Sequence, residues 1–146
     1  MRYRPSLLLA IFSVAFSASA LPSPSEADAF AVAGVTRSEA SVVLVQLQVA
    51  VAAHDAKLIA ALTFFPLTVR GKAGPRNAAE LERDFDAVFT DKVRSAILGQ
   101  TVDELFASWR GLMIGRGEAW LVALCDNTGH PGKCAKHRLL LFSINN

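Results

Sequence analysis

Residues 105–125 read LFASWRGLMIGRGEAWLVALC, and this stretch decides the predicted fold. Two apolar runs rich in strand-forming residues flank Gly115-Arg116-Gly117, a short loop in which glycine can adopt the left-handed conformation of a hairpin turn. The pattern predicts one strand from Leu105 to Ile114 and a second from Glu118 to Cys125. A third apolar run predicts a strand from His137 to Ile144, so the C-terminal part is predicted to form an antiparallel β-meander.

The two cysteines of the chain, Cys125 and Cys134, flank a loop that is rich in turn residues. In an oxidising compartment such a pair predicts a disulfide that closes the hairpin. On the chain-entropy model this disulfide stabilises the fold by roughly 2.5–3 kcal/mol. The alternative is a zinc site, since His130 and His137 lie near the cysteines. The spacing of the four side chains fits no zinc pattern, so we predict a disulfide and no metal.

If Cys125 and Cys134 lie directly opposite each other, an antiparallel register follows for the second and third strands. In that register Leu121 faces Arg138 and Ala123 faces Lys136. Side chains alternate between the two faces of a strand. One face is then predicted to carry Trp120, Val122, Leu124, Leu139 and Leu141. The opposite face remains partly apolar, as the contact face of a dimer or another covered surface would be.

The segment before the meander predicts helices. A long apolar run predicts a first helix from Ser38 to Ala53, with Thr36 or Ser38 as its N-cap. His54-Asp55 is predicted to be a joint, with Asp55 capping a second helix that runs to Phe64 and ends at Pro66. Residues 67–70 are a candidate short strand, and residues 71–75 a loop.

A third helix is predicted to start at Asn77, because Asn77 and Glu80 have the spacing of a capping box. Four apolar side chains share one face of this helix. They are Leu81, Phe85, Val88 and Phe89. A break near Thr90-Asp91 is predicted, since the apolar positions shift to another face after it. The predicted fold class is therefore α+β, with two to three N-terminal helices packed on a curved antiparallel sheet.

Residues 1–20 have the three parts of a cleavable signal peptide. Arg2 and Arg4 precede an apolar core at residues 7–16, and Ala18-Ser19-Ala20 supplies the small residues of a cleavage site. The apolar core is too short to span a bilayer, so no stable membrane anchor is predicted. We predict cleavage near Ala20 and a periplasmic or secreted protein. Residues 21–35 are predicted to be a flexible N-terminus, and residues 36–146 a single domain.

Cleavage of the leader changes the charge of the protein. The chain has 15 Lys and Arg against 13 Asp and Glu, and the two extra basic residues are Arg2 and Arg4. The mature chain is therefore neutral. No basic stripe remains that would suggest binding to nucleic acid.

Three features resemble small exported bacterial members of the nuclear transport factor 2-like superfamily. They are the apolar first helix ending at His54-Asp55, the segment from Leu62 to Val69, and the run from Gly111 to Trp120. The resemblance covers residues 38–144 and implies a cone-shaped α+β roll with a pocket at its open end. Enzymes of this superfamily place an Asp or an Asp/His pair in that pocket. No residue here matches such a pair by motif, and the superfamily also includes ligand binders, subunit-targeting modules and many proteins of unknown role.

Seven side chains remain as candidates for function. The catalytic candidates are His54, Asp55 and Glu118, although each also suits a joint, a helix cap or an ion pair. The candidates for contact with a ligand or partner are Trp109, Trp120, Arg70 and Arg110, because aromatic rings stack on ligands and arginines bind anions. No cofactor is predicted.

The sequence favours an exported, non-enzymatic binding domain whose ligand is a small apolar molecule or an envelope protein. Such a domain could serve as an inhibitor, an immunity factor or an accessory module. The first alternative is a small pocket enzyme of the same fold, an isomerase, lyase or hydrolase. The second alternative is a structural homodimer.

Overall fold

A computed structural model describes residues 29–125 and 136–146. The predicted signal peptide and most of the loop between the two cysteines lie outside the described residues. The helices are α1 (Arg37–Ala52), α2 (Ala56–Ala61), α3 (Ala78–Arg83), α4 (Phe85–Val88) and α5 (Asp91–Gly99), with a 3₁₀ turn at Val102–Glu104. The strands are β1 (Thr63–Val69), β2 (Lys72–Ala73), β3 (Phe106–Ser108), β4 (Gly111–Ile114), β5 (Ala119–Cys125) and β6 (His137–Ile144).

The described strands form one six-stranded sheet with the order β2-β1-β6-β5-β4-β3. The meander β3 to β6 is antiparallel, as predicted, but β1 pairs with β6 in parallel. The sheet is therefore mixed rather than wholly antiparallel. Helix α1 contacts both β6 and α5, so the helices cover one face of the sheet and the domain belongs to the α+β class.

Helix α1 begins where the sequence predicted. Thr36 is its N-cap, and its hydroxyl accepts a hydrogen bond from the backbone N–H of Glu39 at 3.2 Å. The Glu39 carboxylate accepts one in return from the Thr36 N–H at 2.7 Å, which completes a capping box. Two of the four unpaired N–H groups that every helix start leaves are satisfied in this way.

The prediction for the second helix was correct at its start and wrong at its end. Asp55 caps α2 by accepting from the N–H of Leu58 at 2.9 Å, but the helix ends at Ala61 and Pro66 lies inside β1. The β1–β6 pairing shifts register between Thr63 and Thr68. Pro66 therefore sits where the regular ladder is interrupted and its missing N–H costs little. The predicted loop after β1 contains β2.

The predicted third helix is interrupted at Asp84 and forms two short helices, α3 and α4, whereas the predicted break before Asp91 is present. Asn77 caps α3 by accepting from the Glu80 N–H at 3.0 Å. The predicted apolar face is buried in the core at all four positions, Leu81, Phe85, Val88 and Phe89. A break separates α4 from α5, which begins at Asp91. Each short helix thus turns its apolar positions towards the hydrophobic core.

The predicted strand from Leu105 to Ile114 is two strands. Trp109 and Arg110 form a turn, and β3 pairs with β4 through Phe106 and Met113. Ser108 and Gly111 flank the turn at the positions where Ser and Gly favour a β-turn, and the prediction of one long strand overlooked this signal. Gly111, directly after the turn, has φ +118°, a conformation that favours glycine.

The predicted β5–β6 register was wrong. Ala123 pairs with Leu139 and Leu121 with Leu141, because Cys125 faces His137 and not Cys134. The offset is an odd number of residues, which exchanges the two faces of β6 relative to β5. Leu139 and Leu141 therefore lie on the buried face beside Leu121, opposite to the predicted arrangement.

The packed domain starts earlier than residue 36. Residues 29–31 are helical, and Phe30, Ala33 and Val35 are buried in the core. Part of the segment predicted to be flexible therefore belongs to the domain, while residues 21–28 lie outside the described residues. Nowhere in the described part of the chain is a helix long and apolar enough to cross a membrane.

Candidate functional site

The two faces of the sheet differ in what covers them. Leu112, Leu121 and Leu141 lie side by side on neighbouring strands and are fully buried beneath the helices. On the opposite face, cross-strand pairing aligns one residue from each of β3, β4, β5 and β6. We call these four residues the outer row: Phe106, Met113, Trp120 and Ser143. Phe106 is 56% exposed, so no element of the described domain covers this end of the row.

A groove of about 510 Å³ runs along the outer face beside this row. We call it the tryptophan groove, and it is lined by Trp109, Arg110, Trp120, Val122, Phe142 and Ser143. Three of the four predicted contact residues, Trp109, Trp120 and Arg110, are thus brought together. The groove has aromatic walls and a cationic rim, which suits a partner that combines apolar and anionic groups.

Trp109 and Arg110 project from the β3–β4 turn at the edge of the groove. Trp109 is 78% exposed, the highest exposure among the large apolar side chains that the structure describes. The Arg110 guanidinium lies 5.0 Å from the centre of the Trp109 ring, within the range of a cation–π contact. The backbone N–H of Arg110 donates to the Ser108 hydroxyl at 3.2 Å, which fixes the turn. The backbone of the turn is therefore fixed, while the indole remains exposed to solvent.

Phe142 reaches the groove because of an irregularity in β6. Trp120 pairs with Ser143, whereas Leu121 pairs with Leu141, so Phe142 is the extra residue at the register shift. Its ring stacks on Phe64 of β1 with 6.0 Å between ring centres. This contact extends the apolar surface from β6 to β1, where Phe64 is 39% exposed.

His54 and Asp55 terminate one helix and start the next. His54 has φ +54°, and its N–H donates to Val51 O while the Asp55 N–H donates to Ala50 O. This is the hydrogen-bond pattern of a Schellman motif, with His54 in the position that glycine usually takes. The Asp55 carboxylate is engaged as the cap of α2. Both residues therefore have structural roles.

The His54 ring belongs to an exposed polar cluster that the sequence did not predict. Its Nε2 lies 3.3 Å from Asp86 Oδ1 and 3.0 Å from a guanidinium nitrogen of Arg94. Hydrogen bonds from His54 and then Arg94 hold the pKa of the Asp86 carboxyl below its ordinary value. The side chains of His54 and Asp86 are 55% and 82% exposed. His54, Asp55 and Asp86 line an open, polar cleft, so these side chains are in contact with solvent.

Glu118 is buried in the turn between β4 and β5. Its carboxylate accepts a hydrogen bond from the Arg116 N–H at 2.6 Å and lies 3.4 Å from the Lys92 ammonium. The Arg116 N–H, followed by the Lys92 side chain, holds the pKa of Glu118 below its ordinary value of 4.5. These contacts are those of a structural carboxylate that fixes a turn.

We expect Glu118→Gln to destabilise the fold by about 1–2 kcal/mol at neutral pH, because a charge-assisted hydrogen bond and an ion pair are lost. A carboxyl with a lowered pKa stabilises the folded state above its unfolded-state pKa, and this contribution disappears as the pH falls through its folded-state pKa. Urea unfolding at neutral pH and at a pH well below 4.5 should therefore show a difference between the two proteins only at neutral pH. Equal stability at neutral pH would contradict the structural role.

The remaining predicted residues lie apart from the groove. Arg70, at the end of β1, donates from Nε to the backbone oxygen of Asn146 at 3.0 Å, so it fixes the C-terminal segment. Cys125 is in a disulfide. Cys134 lies outside the described residues, so the pairing of Cys125 with Cys134 stays a prediction.

A smaller groove of about 250 Å³ lies between α1 and β6, where His137 Nε2 is 3.3 Å from Glu39 Oε1.

Sequence reasoning missed Phe142 as a wall of the groove and Phe106 as the exposed end of the outer row. Phe106 was included in one long predicted strand, so its place on a separate strand was not predicted. Phe142 reaches the groove through a register shift that has no signal in the sequence. Within the described ranges, no group of three or more His, Cys, Asp or Glu side chains is placed to hold a metal ion. Comparison of the chain with models of protein families, with characterised proteins and with solved structures gives no match.

Proposed function

We propose that this chain is an exported, non-enzymatic binding domain that recognises a protein partner through the tryptophan groove. The exposure of Trp109 is the observation that carries the proposal. A largely exposed indole beside Trp120 and Phe142 has the composition of a binding hot spot, since Trp, Tyr and Arg dominate the energetics of protein interfaces. An apolar surface of this kind on a small domain indicates contact with another molecule.

The fold proposed for the chain is the α+β roll of the nuclear transport factor 2-like superfamily. The order of helices, β1–β2 hairpin, further helices and β3–β6 meander supports this proposal, as does the packing of α1 against one face of the sheet. Export is proposed from the leader sequence, and the disulfide at Cys125 is consistent with an oxidising compartment.

The state of the buried polar side chains favours a binding domain over a pocket enzyme. Among the described residues, two polar or charged residues are buried as a whole, Thr63 and Glu118, and the buried Nε2 atom of His137 lies 3.3 Å from the Glu39 carboxylate. The Thr63 hydroxyl donates to Ile59 O at 2.7 Å, and Glu118 is engaged by Arg116 and Lys92. Thr63 and Glu118 are therefore both engaged with partners inside the domain, so neither is placed to take a proton from a substrate.

Site-specific photo-cross-linking tests this proposal. A benzophenone amino acid replaces Phe106 in one variant and Val42 of α1 in the other, since both positions are about equally exposed at 56% and 55%. In the native host we expect an adduct with one protein from position 106 and none from position 42. Adding Trp109→Ala should weaken binding by about 2 kcal/mol, roughly thirtyfold, and remove the adduct.

Three outcomes of the cross-linking experiment contradict the proposal. An adduct between two copies of the chain would support a structural homodimer. Equal adducts from positions 106 and 42 would show that the groove has no special role. The absence of any adduct under native expression would also contradict a protein partner.

A further inference from the structure

The sheet that carries the groove contains no acidic side chain. The segments β1 to β6 hold neither Asp nor Glu, whereas they contain Lys72, His137 and Arg138, and Arg110 follows β3. Arg138 pairs with Leu124 and so lies on the outer face. In the described part of the chain, Arg110 makes no ion pair with a carboxylate, and its guanidinium contacts the Trp109 ring. The groove therefore combines an apolar surface with an uncompensated positive charge.

The length of the apolar surface indicates a segment of polypeptide rather than a small molecule. The surface runs from Phe106 on β3, through the outer row and Phe142, to Phe64 on β1. Four strand spacings separate β3 from β1 in the sheet order, which corresponds to about 19 Å. A helix of about three turns or an extended peptide of about six residues has this length.

The charge of this face argues against a second copy of the chain as the partner. In a symmetric dimer the same patch of each copy meets the other. Pairing through the groove would place the Arg110 guanidinium of each copy in the same interface, with no carboxylate on strands β1 to β6 to compensate it, whereas Arg138 donates to the Ala61 backbone oxygen at 3.1 Å. Like charges brought together in an interface cost binding free energy.

We infer that the partner presents an acidic segment, in which one or more carboxylates lie next to aromatic or aliphatic side chains. The apolar side chains occupy the space between Trp120, Val122 and Phe142, and a carboxylate pairs with the Arg110 guanidinium at the rim. Arginine suits this role because its fork of N–H groups binds carboxylates in a bidentate manner. This inference rests on the proposed function, since it specifies the partner of the same groove.

A randomised peptide display library, selected on the immobilised chain, tests the inference. We expect the enriched peptides to carry Asp or Glu next to Phe, Leu or Trp. Synthetic peptides of the enriched sequence should bind Arg110→Gln about ten- to a hundredfold more weakly than the wild type, because a charge-assisted hydrogen bond is lost. Arg116→Gln is the matched control, since Arg116 is exposed and does not line the groove. It should bind as the wild type does.

The outcomes separate this inference from the proposed function. Enriched peptides that depend on Trp109 but lack carboxylates, or that bind Arg110→Gln normally, would overturn the acidic partner and leave the binding domain. The absence of enrichment above that on Trp109→Ala would overturn both. Tryptophan fluorescence gives a second readout of binding, because Trp109 and Trp120 are the two tryptophans of the chain, and sedimentation measures dimerisation. Dimerisation that Trp109→Ala abolishes would assign the groove to a second copy instead.

Discussion

Gly111→Ala is expected to destabilise the domain by about 3 kcal/mol or more, a large part of the stability of an ordinary domain of roughly 5–15 kcal/mol. Gly111 has φ +118°, a conformation that residues with a Cβ rarely adopt. A Cβ built there overlaps the backbone carbonyl of Leu121 on the neighbouring strand. The β4–β5 pairing would have to open to admit the methyl group. Urea unfolding followed by circular dichroism measures the loss.

Gly99→Ala is the matched control for Gly111→Ala. Gly99 is the last residue of α5, and a Cβ at this position meets no atom within 4 Å. Alanine also costs less conformational entropy than glycine in a helix, by roughly 0.5–1 kcal/mol. The control should therefore be as stable as the wild type or slightly more stable. Similar stability of the two variants would show that Gly111 does not need its unusual backbone conformation.

Local patterns carried most of the correct predictions. Thr36 with Glu39, Asp55 before α2, and Asn77 with Glu80 were readable because a cap needs only a polar side chain at a fixed spacing. The glycines of the β4–β5 turn could also be predicted, because a hairpin turn needs glycine at a fixed position within the turn itself. Each of these features depends on contacts between residues that are close in the sequence.

The errors arose where distant parts of the chain decide the structure. The parallel pairing of β1 with β6 joins residues about eighty positions apart, and no local pattern reports it. Cys125 was assumed to face its predicted disulfide partner, but it faces His137, and this one assumption misplaced the faces of β6. Trp109, Trp120 and Arg110 were predicted as separate contact residues, but the groove that they line was not. Its walls are brought together by the turn between β3 and β4 and by the register shift at Phe142.

Phe89→Ala is expected to cost about 3–5 kcal/mol, whereas Phe106→Ala should cost less than about 1 kcal/mol. Phe89 is fully buried and stacks on Phe85 with 5.0 Å between ring centres. Its removal leaves a cavity in the hydrophobic core. Phe106 is 56% exposed on the outer row, so its removal leaves no cavity. Urea midpoints of the two variants measure the difference.

The same pair of variants separates the stability of the domain from its proposed binding role. Phe106→Ala should keep the wild-type urea midpoint and lose affinity for the enriched peptides, because Phe106 begins the apolar surface that a partner would cover. Phe89→Ala should lose stability, yet its remaining folded fraction should bind those peptides with unchanged affinity, since Phe89 lies beneath the opposite face. If Phe106→Ala is as destabilising as Phe89→Ala, the outer row is part of the core, and a partner surface there is contradicted.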